Sequence, residues 1–217
     1  LYQVRRVAGD QTTAATNLTS SFSVGTGARI VNTQKFMSQG SITTTDNSLD
    51  LAIEGGGFFQ VLLPDGRVGY TRNGSFATNA EGVLTTASGY VVQPEIAIPD
   101  GASQINISSD GIISVLVAGG VGAEEVGQLT IADFTNKIGL QPVGESFFVQ
   151  TDTSGDPIEG NPNEQGLGRI VQGALEASNV NVVTELVEMI ETQRAYEVSS
   201  KSITSVDEML RFISQNL

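Results

Sequence analysis

Between Leu51 and Ile98 short apolar runs alternate with clusters of Gly, Asn, Asp and Pro. That rhythm predicts short strands joined by tight turns. Pro64, Asp65 and Gly66 separate "FFQVLL" from "RVGYT", supplying in succession a fixed φ, a side chain that can close the turn and a permissive backbone. This predicts a hairpin. "NAEG" and "TASG" punctuate the next two runs, so residues 52–98 read as a meander of antiparallel strands. Further strand-like runs are "ARIVNT", "SQINISS", "GIISVLV", "GQLTIADF", "ESFFVQT" and "LGRIVQG". Before the last of these lies "DTSGDPIEGNPNEQG", a polar loop with nothing to bury. From Leu1 to about Gly27 the chain is rich in Thr, Ser, Gln and Gly, the composition of a linker or extended arm.

The pattern changes at the carboxyl end. Val182, Met189, Tyr196, Ile203, Leu210 and Leu217 recur every seven residues, with Val206 and Ile213 between them in the last turns and Leu186 one turn beyond Val182. A sustained heptad predicts a helix that seeks a partner helix. Ser178, Asn179 and Asn181 are each competent to cap its start, and Glu185 and Glu188 lie early, where the helix dipole favours acids. Glu197 with Lys201 and Asp207 with Arg211 are acid-first pairs four apart. A helix of about 35 residues is about 50 Å long, whereas a small β domain is roughly 30 Å across. Folding back onto such a body would leave an overhang, and each wet seam residue forgoes about 1.5 to 3 kcal/mol. The stripe therefore predicts cover by other polypeptide, and aspartate at Leu210 and Ile213 is expected to prevent assembly while leaving the β body folded. The expected organisation is an arm and the start of the β region over 1–31, antiparallel β structure over 32–172, and a return segment with the long helix over 173–217.

Composition fits this mainly β reading. The chain has 217 residues, 25 of them glycine, with 39% hydrophobic and 16% charged side chains. Its formal charge of −13 repels phosphate backbones, and the few Lys and Arg form no stripe, which argues against nucleic acid. No run approaches the roughly 20 apolar residues of a membrane span. Leu1 in place of Met leads us to expect that the sequence begins inside a longer protein.

Little chemistry is on offer. Without His or Cys, the usual nucleophile–base pairs and imidazole or thiolate metal sites cannot be built. The carboxylates fall mainly at turns and on the closing helix, and no pair of them is flanked by aromatic residues that would hold a sugar. Ser199, Ser200 and Lys201 are consecutive helix positions that point in different directions. "EGGGFFQV" leads into a strand rather than the helix start that a phosphate loop requires, so its glycines more readily serve a bulge or close packing. "DTSGDPIEGNPNEQG" has calcium-loop residue types without the spacing. We expect no catalytic residue, no cofactor and no metal.

"LEASNVNVVTELVEMIETQRAYEVSSKSITSVDEML" resembles the C-terminal signature of the flagellar basal-body rod and hook family. The matching elements are Ser-Asn-Val at 178–180, Met-Ile at 189–190, Gln-Arg-Ala-Tyr-Glu at 193–197 and Asp-x-Met at 207–209. "DLAIEGGGFFQVLLPDGRVGYTRNGSF" is similar to the family's central β signature, and "DFTNKIGLQPVGESFFVQTDTSG" to the segment that follows it. "LYQVRRVAGDQTTAATNLTSSF" resembles the insertion that sets rod subunits apart from hook. The family's opening helix, with its Asn/Ala/Thr-rich motif, has no counterpart here, and Ser199 stands where the family commonly has Asn.

The resemblance implies a non-enzymatic subunit whose terminal helices pair into the inner coiled coil of a tube, with β domains outside, and which transmits torque. The seam of Val182, Leu186, Met189, Tyr196, Ile203, Val206, Leu210, Ile213 and Leu217 is then the assembly interface. Implied partners are further copies, proximal rod and hook proteins, and surrounding ring proteins. The implied location is the periplasmic part of the basal body, reached through the flagellar type III export apparatus. Rival readings are a proximal rod or hook subunit of the same family, and a secreted carbohydrate-binding or carbohydrate-active β domain.

Overall fold

The computed structural model describes residues 33–117 and 122–215, with backbone alone at Leu210 and Ser214, and the strand backbones within 2–25. The chain divides into two units, Leu1–Phe36 and Met37–Leu217. In the first, β1 (Tyr2–Arg6), β2 (Gln11–Thr13), β3 (Thr16–Asn17) and β4 (Phe22–Gly25) form two antiparallel pairs, β1 with β4 and β2 with β3. The β-favouring Thr, Val, Tyr and Phe residues of these segments suit such pairing. Apart from Thr33, the run at 28–33 lies outside the described residues.

The second unit contains β5 (Ile42–Thr44), β6 (Leu51–Glu54), β7 (Phe58–Leu62), β8 (Val68–Thr71), β9 (Phe76–Thr78), β10 (Leu84–Thr86), β11 (Val91–Gln93) and β12 (Ala102–Ile107). It continues with β13 (Ile112–Val117), β14 (Ala123–Gln128), β15 (Ile131–Asp133), β16 (Gln141–Gly144), β17 (Phe147–Val149), β18 (Ile158–Gly160), β19 (Arg169–Gln172), β20 (Ala174–Glu176) and the helix α1 (Val182–Gln215). The largest sheet runs β16-β17-β8-β7-β11-β10-β9, with β15 pairing both β7 and β18. A second sheet is β12-β13-β14, and two separate ladders join β6 to β19 and β5 to β20. The fold is mainly β and antiparallel, with one long helix.

The expected hairpin joins β7 to β8. Gly66 donates to the Leu63 carbonyl at 2.9 Å, Leu63 donates to that of Arg67 at 2.9 Å, and Gly66 takes φ +81°, a left-handed conformation that favours glycine. Asp65 closes the turn by accepting from the Arg67 backbone N–H and from its Nε at 2.6 Å. These bonds to Arg67 hold the Asp65 carboxyl below the usual carboxylate range.

The meander departs from the expected order. β8 does not continue into β9 as its sheet neighbour; β9, β10 and β11 form their own run, and β11 returns beside β7. The chain leaves the sheet at Asn73 and Gly74, where a Cβ on Gly74 would collide with the Leu51 carbonyl. "GQLTIADF" also divides. β14 ends at Gln128, the Leu129 N–H still bonds to the Gly111 carbonyl at 2.8 Å in the same register, and β15 begins at Ile131. Inside the expected polar loop, β18 pairs with β15. It escaped the pattern because Ile158 and Glu159 stay exposed, so backbone bonds alone define that strand.

The main core joins Phe59, Val61, Leu84 and Val92 of the large sheet to Ile113 and Val115 of the second and to Leu51, Ile53 and Ile170 of the β6–β19 ladder. Strand alternation sends Phe58 to the other face of β7, where it packs with Tyr70, Ala132, Phe134 and Leu140. β7 is thus buried on both faces. Asn181, of the three candidates, caps α1 with Oδ1 accepting from Val183 at 3.0 Å and Thr184 at 3.4 Å. The helix runs for 34 residues with Glu185 in its first turn, and all its described side chains are exposed.

Candidate assembly interface

Exposure of α1 includes its apolar residues. Val182, Leu186, Met189, Tyr196, Ile203, Val206 and Ile213 retain 50–76% of their accessible surface. Leu210 is placed on the helix by its backbone, and Leu217 lies outside the described residues. A second set, missed in the heptad count, is equally open: Val183, Val187, Ile190, Val198, Met209 and Phe212. Val183, Val187 and Ile190 follow spacings of four and three, out of phase with the first stripe, so the helix presents apolar surface on more than one flank. A helix of that kind is buried when something covers it on several sides. Glu197–Lys201 and Asp207–Arg211 are not among the ion pairs of the described residues; fully solvated long side chains gain little by closing such contacts.

The root of the helix is built differently. β20 pairs with β5, setting Glu176 opposite Ile42, and Ala177 donates to the Ser41 carbonyl at 2.8 Å. Asn179 Nδ2 reaches the Ser38 carbonyl at 3.0 Å and the Ser38 hydroxyl at 3.1 Å. Residues 38–41 and 176–179 therefore run side by side, so closely that a Cβ on Gly40 would strike the Ala177 carbonyl.

Arg72 binds this root to the glycine loop. Its Nε donates to Glu176 Oε2 at 2.7 Å, Nη1 to the Gly55 and Gly57 carbonyls at 2.9 Å each, and Nη2 to the Ile53 carbonyl at 2.9 Å. Glu176 Oε1 accepts from the Gly40 N–H at 2.9 Å. Gln39 grips the same loop, donating to the Ile53 carbonyl at 3.0 Å and accepting from the Gly55 N–H at 3.1 Å. The glycines of "EGGG" thus offer carbonyls to a guanidinium, and Gly55 and Gly57 take φ of +113° and +130° to do so. Pattern reading passed over Arg72 and Glu176 because nothing local marks them as partners.

Two family descriptions match the chain: "Flagellar hook protein FlgE/F/G D1 domain" over residues 52–115 and "Flagellar basal body rod FlgEFG protein C-terminal" over 171–216. The flagellar basal-body rod protein FlgG of Buchnera aphidicola subsp. Schizaphis graminum is 48% identical over 215 residues, covering 99% of this chain and 83% of the relative. This chain belongs to the flagellar basal-body rod family. Flagellar basal-body rod protein FlgG of Caulobacter vibrioides is 41% identical, with 99% of this chain and 82% of the relative covered. Flagellar basal-body rod protein FlgF of the same bacterium is 34% identical, with 82% and 69% covered. Within the rod-family matches, Arg72 falls in the first segment and Glu176 in the second, so the ion pair ties the two together.

Proposed function

We propose that this chain is a structural subunit of the flagellar basal-body rod, in its distal section, and that α1 is its polymerising element. The chain is a structural protein and not an enzyme. Membership in the rod family and the higher identity to the FlgG than to the FlgF relative of one bacterium support the distal assignment over a proximal rod or hook subunit. The relatives lend no support to a carbohydrate-directed β domain. The observation that carries the mechanism is the open apolar surface of α1. Burying it contributes about 1.5 to 3 kcal/mol per side chain, ample to drive association of a domain whose whole stability is about 5 to 15 kcal/mol.

One flank is covered by a helix of the same subunit and another by neighbouring copies. Head-to-tail contacts of this kind, repeated without closure, generate a helical filament. The tube so formed joins proximal rod to hook, passes through the surrounding rings in the periplasm, and receives its subunits through the type III apparatus. The test is electron microscopy of the complete gene product at high concentration, comparing the parent with an Ile203→Asp, Ile213→Asp variant. Straight tubes from the parent and dispersed, folded subunits from the variant support the reading. Persistent monomers from the parent, or tubes from the variant, overturn it.

A further inference from the structure

The geometry points to a rigid joint: the Arg72–Glu176 pair, with Gln39, Gly40 and the carbonyls of Ile53, Gly55 and Gly57, fixes the direction in which α1 leaves the β body. A guanidinium offers five N–H donors in one plane. Four bonds from Arg72 reach four different acceptors on two chain segments, so the group cannot turn without breaking several at once. Glu176 is held from its other side by the Gly40 N–H. Gln39 closes the ring by gripping the same loop as Arg72. Both ion-pair partners are largely shielded, with 24% and 11% of their side-chain surface exposed, so solvent competes weakly for the contact.

The connection from joint to helix has little slack. Glu176 ends β20, Ala177 extends the ladder to Ser41, and Asn179 is fastened to Ser38. Val180, whose N–H donates to Ser178 Oγ at 3.2 Å, is then all that separates Asn179 from the capping Asn181. The competing arrangement is a merely local brace, with α1 swinging freely about residues 180 and 181. A fixed joint would carry twist from the helix into the β body; that use rests on the rod reading, whereas the joint itself is a property of the single chain.

The sequence has no cysteine, so cysteines introduced at the exposed positions Ala87 and Glu188 would be the sole sites for a pair of spin labels. Double electron–electron resonance on this chain then reads the spread of body-to-helix distances. We expect one narrow distribution in the parent and a roughly twofold broader one in R72Q and in E176Q, with amide spectra of the β body unchanged. R169Q, which breaks the exposed Arg169–Glu54 pair at the same loop, should leave the width unaltered. Should R72Q fail to fold, Gln39→Ala carries the same expectation. A parent distribution already broad, or a folded R72Q or Gln39→Ala as narrow as the parent, overturns the joint. Either result leaves the filament experiment standing, so the two readings fail separately.

Discussion

Arg72 Nε lies 2.7 Å from Glu176 Oε2, joining residues 104 positions apart in the chain. The pair is shielded and its other donors are bound to carbonyls, so removing one partner strands the rest. Arg72→Ala should lower stability by about 3 kcal/mol, the cost of leaving a shielded charge unpaired. The Arg72→Ala, Glu176→Ala double variant should cost less than the two single changes summed. Urea unfolding of the four proteins measures both, and additivity would show that the pair is energetically idle.

Phe59 is fully buried and meets Phe76 edge-to-face with ring centroids 5.1 Å apart. Phe59→Ala should therefore cost about 3 to 5 kcal/mol. Leu62, on the same strand but 42% exposed, should cost less than about 1 kcal/mol when shortened to Ala. The contrast between their unfolding midpoints checks where the core ends.

The start of α1 depends on Asn181. Asn181→Ala should remove about 1 kcal/mol from the helix and fray its first turns, seen as reduced ellipticity at an unchanged β-body spectrum. Asn181→Asp keeps the accepting oxygen and should retain the helix. Equal loss from both variants would mean that the cap is not what holds this end.

Tyr70 is buried, and desolvation, with a smaller contribution from Glu159, raises its hydroxyl above the ordinary value of 10.0. A raised folded value means that the native state keeps the proton longer than the unfolded chain does. The resulting stabilisation is fully present below the unfolded pKa and disappears as pH rises through the folded one. Stability should thus fall on the alkaline side, and Tyr70→Phe should make that fall shallower. Unfolding midpoints measured through this range, with ultraviolet titration of the phenolates, provide the check.

The parts of the fold visible in the sequence were those whose cause is local. Pro64, Asp65 and Gly66 specify a turn wherever they stand, and a heptad from Val182 specifies a helix. The family signatures were legible for the same reason. Strand order was not, because the return of β11 to β7 depends on partners far apart in the chain and on contacts such as Gly74 against the Leu51 carbonyl. β18 was hidden because backbone pairing leaves no apolar signature. The second flank of α1 was masked by counting a single period, although Val183, Val187 and Ile190 carry their own spacing. Arg72 was silent because three of its four acceptors are carbonyls, which every residue possesses.

The side-by-side course of residues 38–41 and 176–179 has an architectural corollary. Among the described residues, those between Ile42 and Leu175 form a body entered and left by two adjacent threads that hydrogen bonds join. Domains inserted between neighbouring chain ends can be enlarged, trimmed or exchanged with little disturbance to what lies outside them. One shaft geometry could accordingly carry bodies of quite different bulk, provided each offers the same two anchor points.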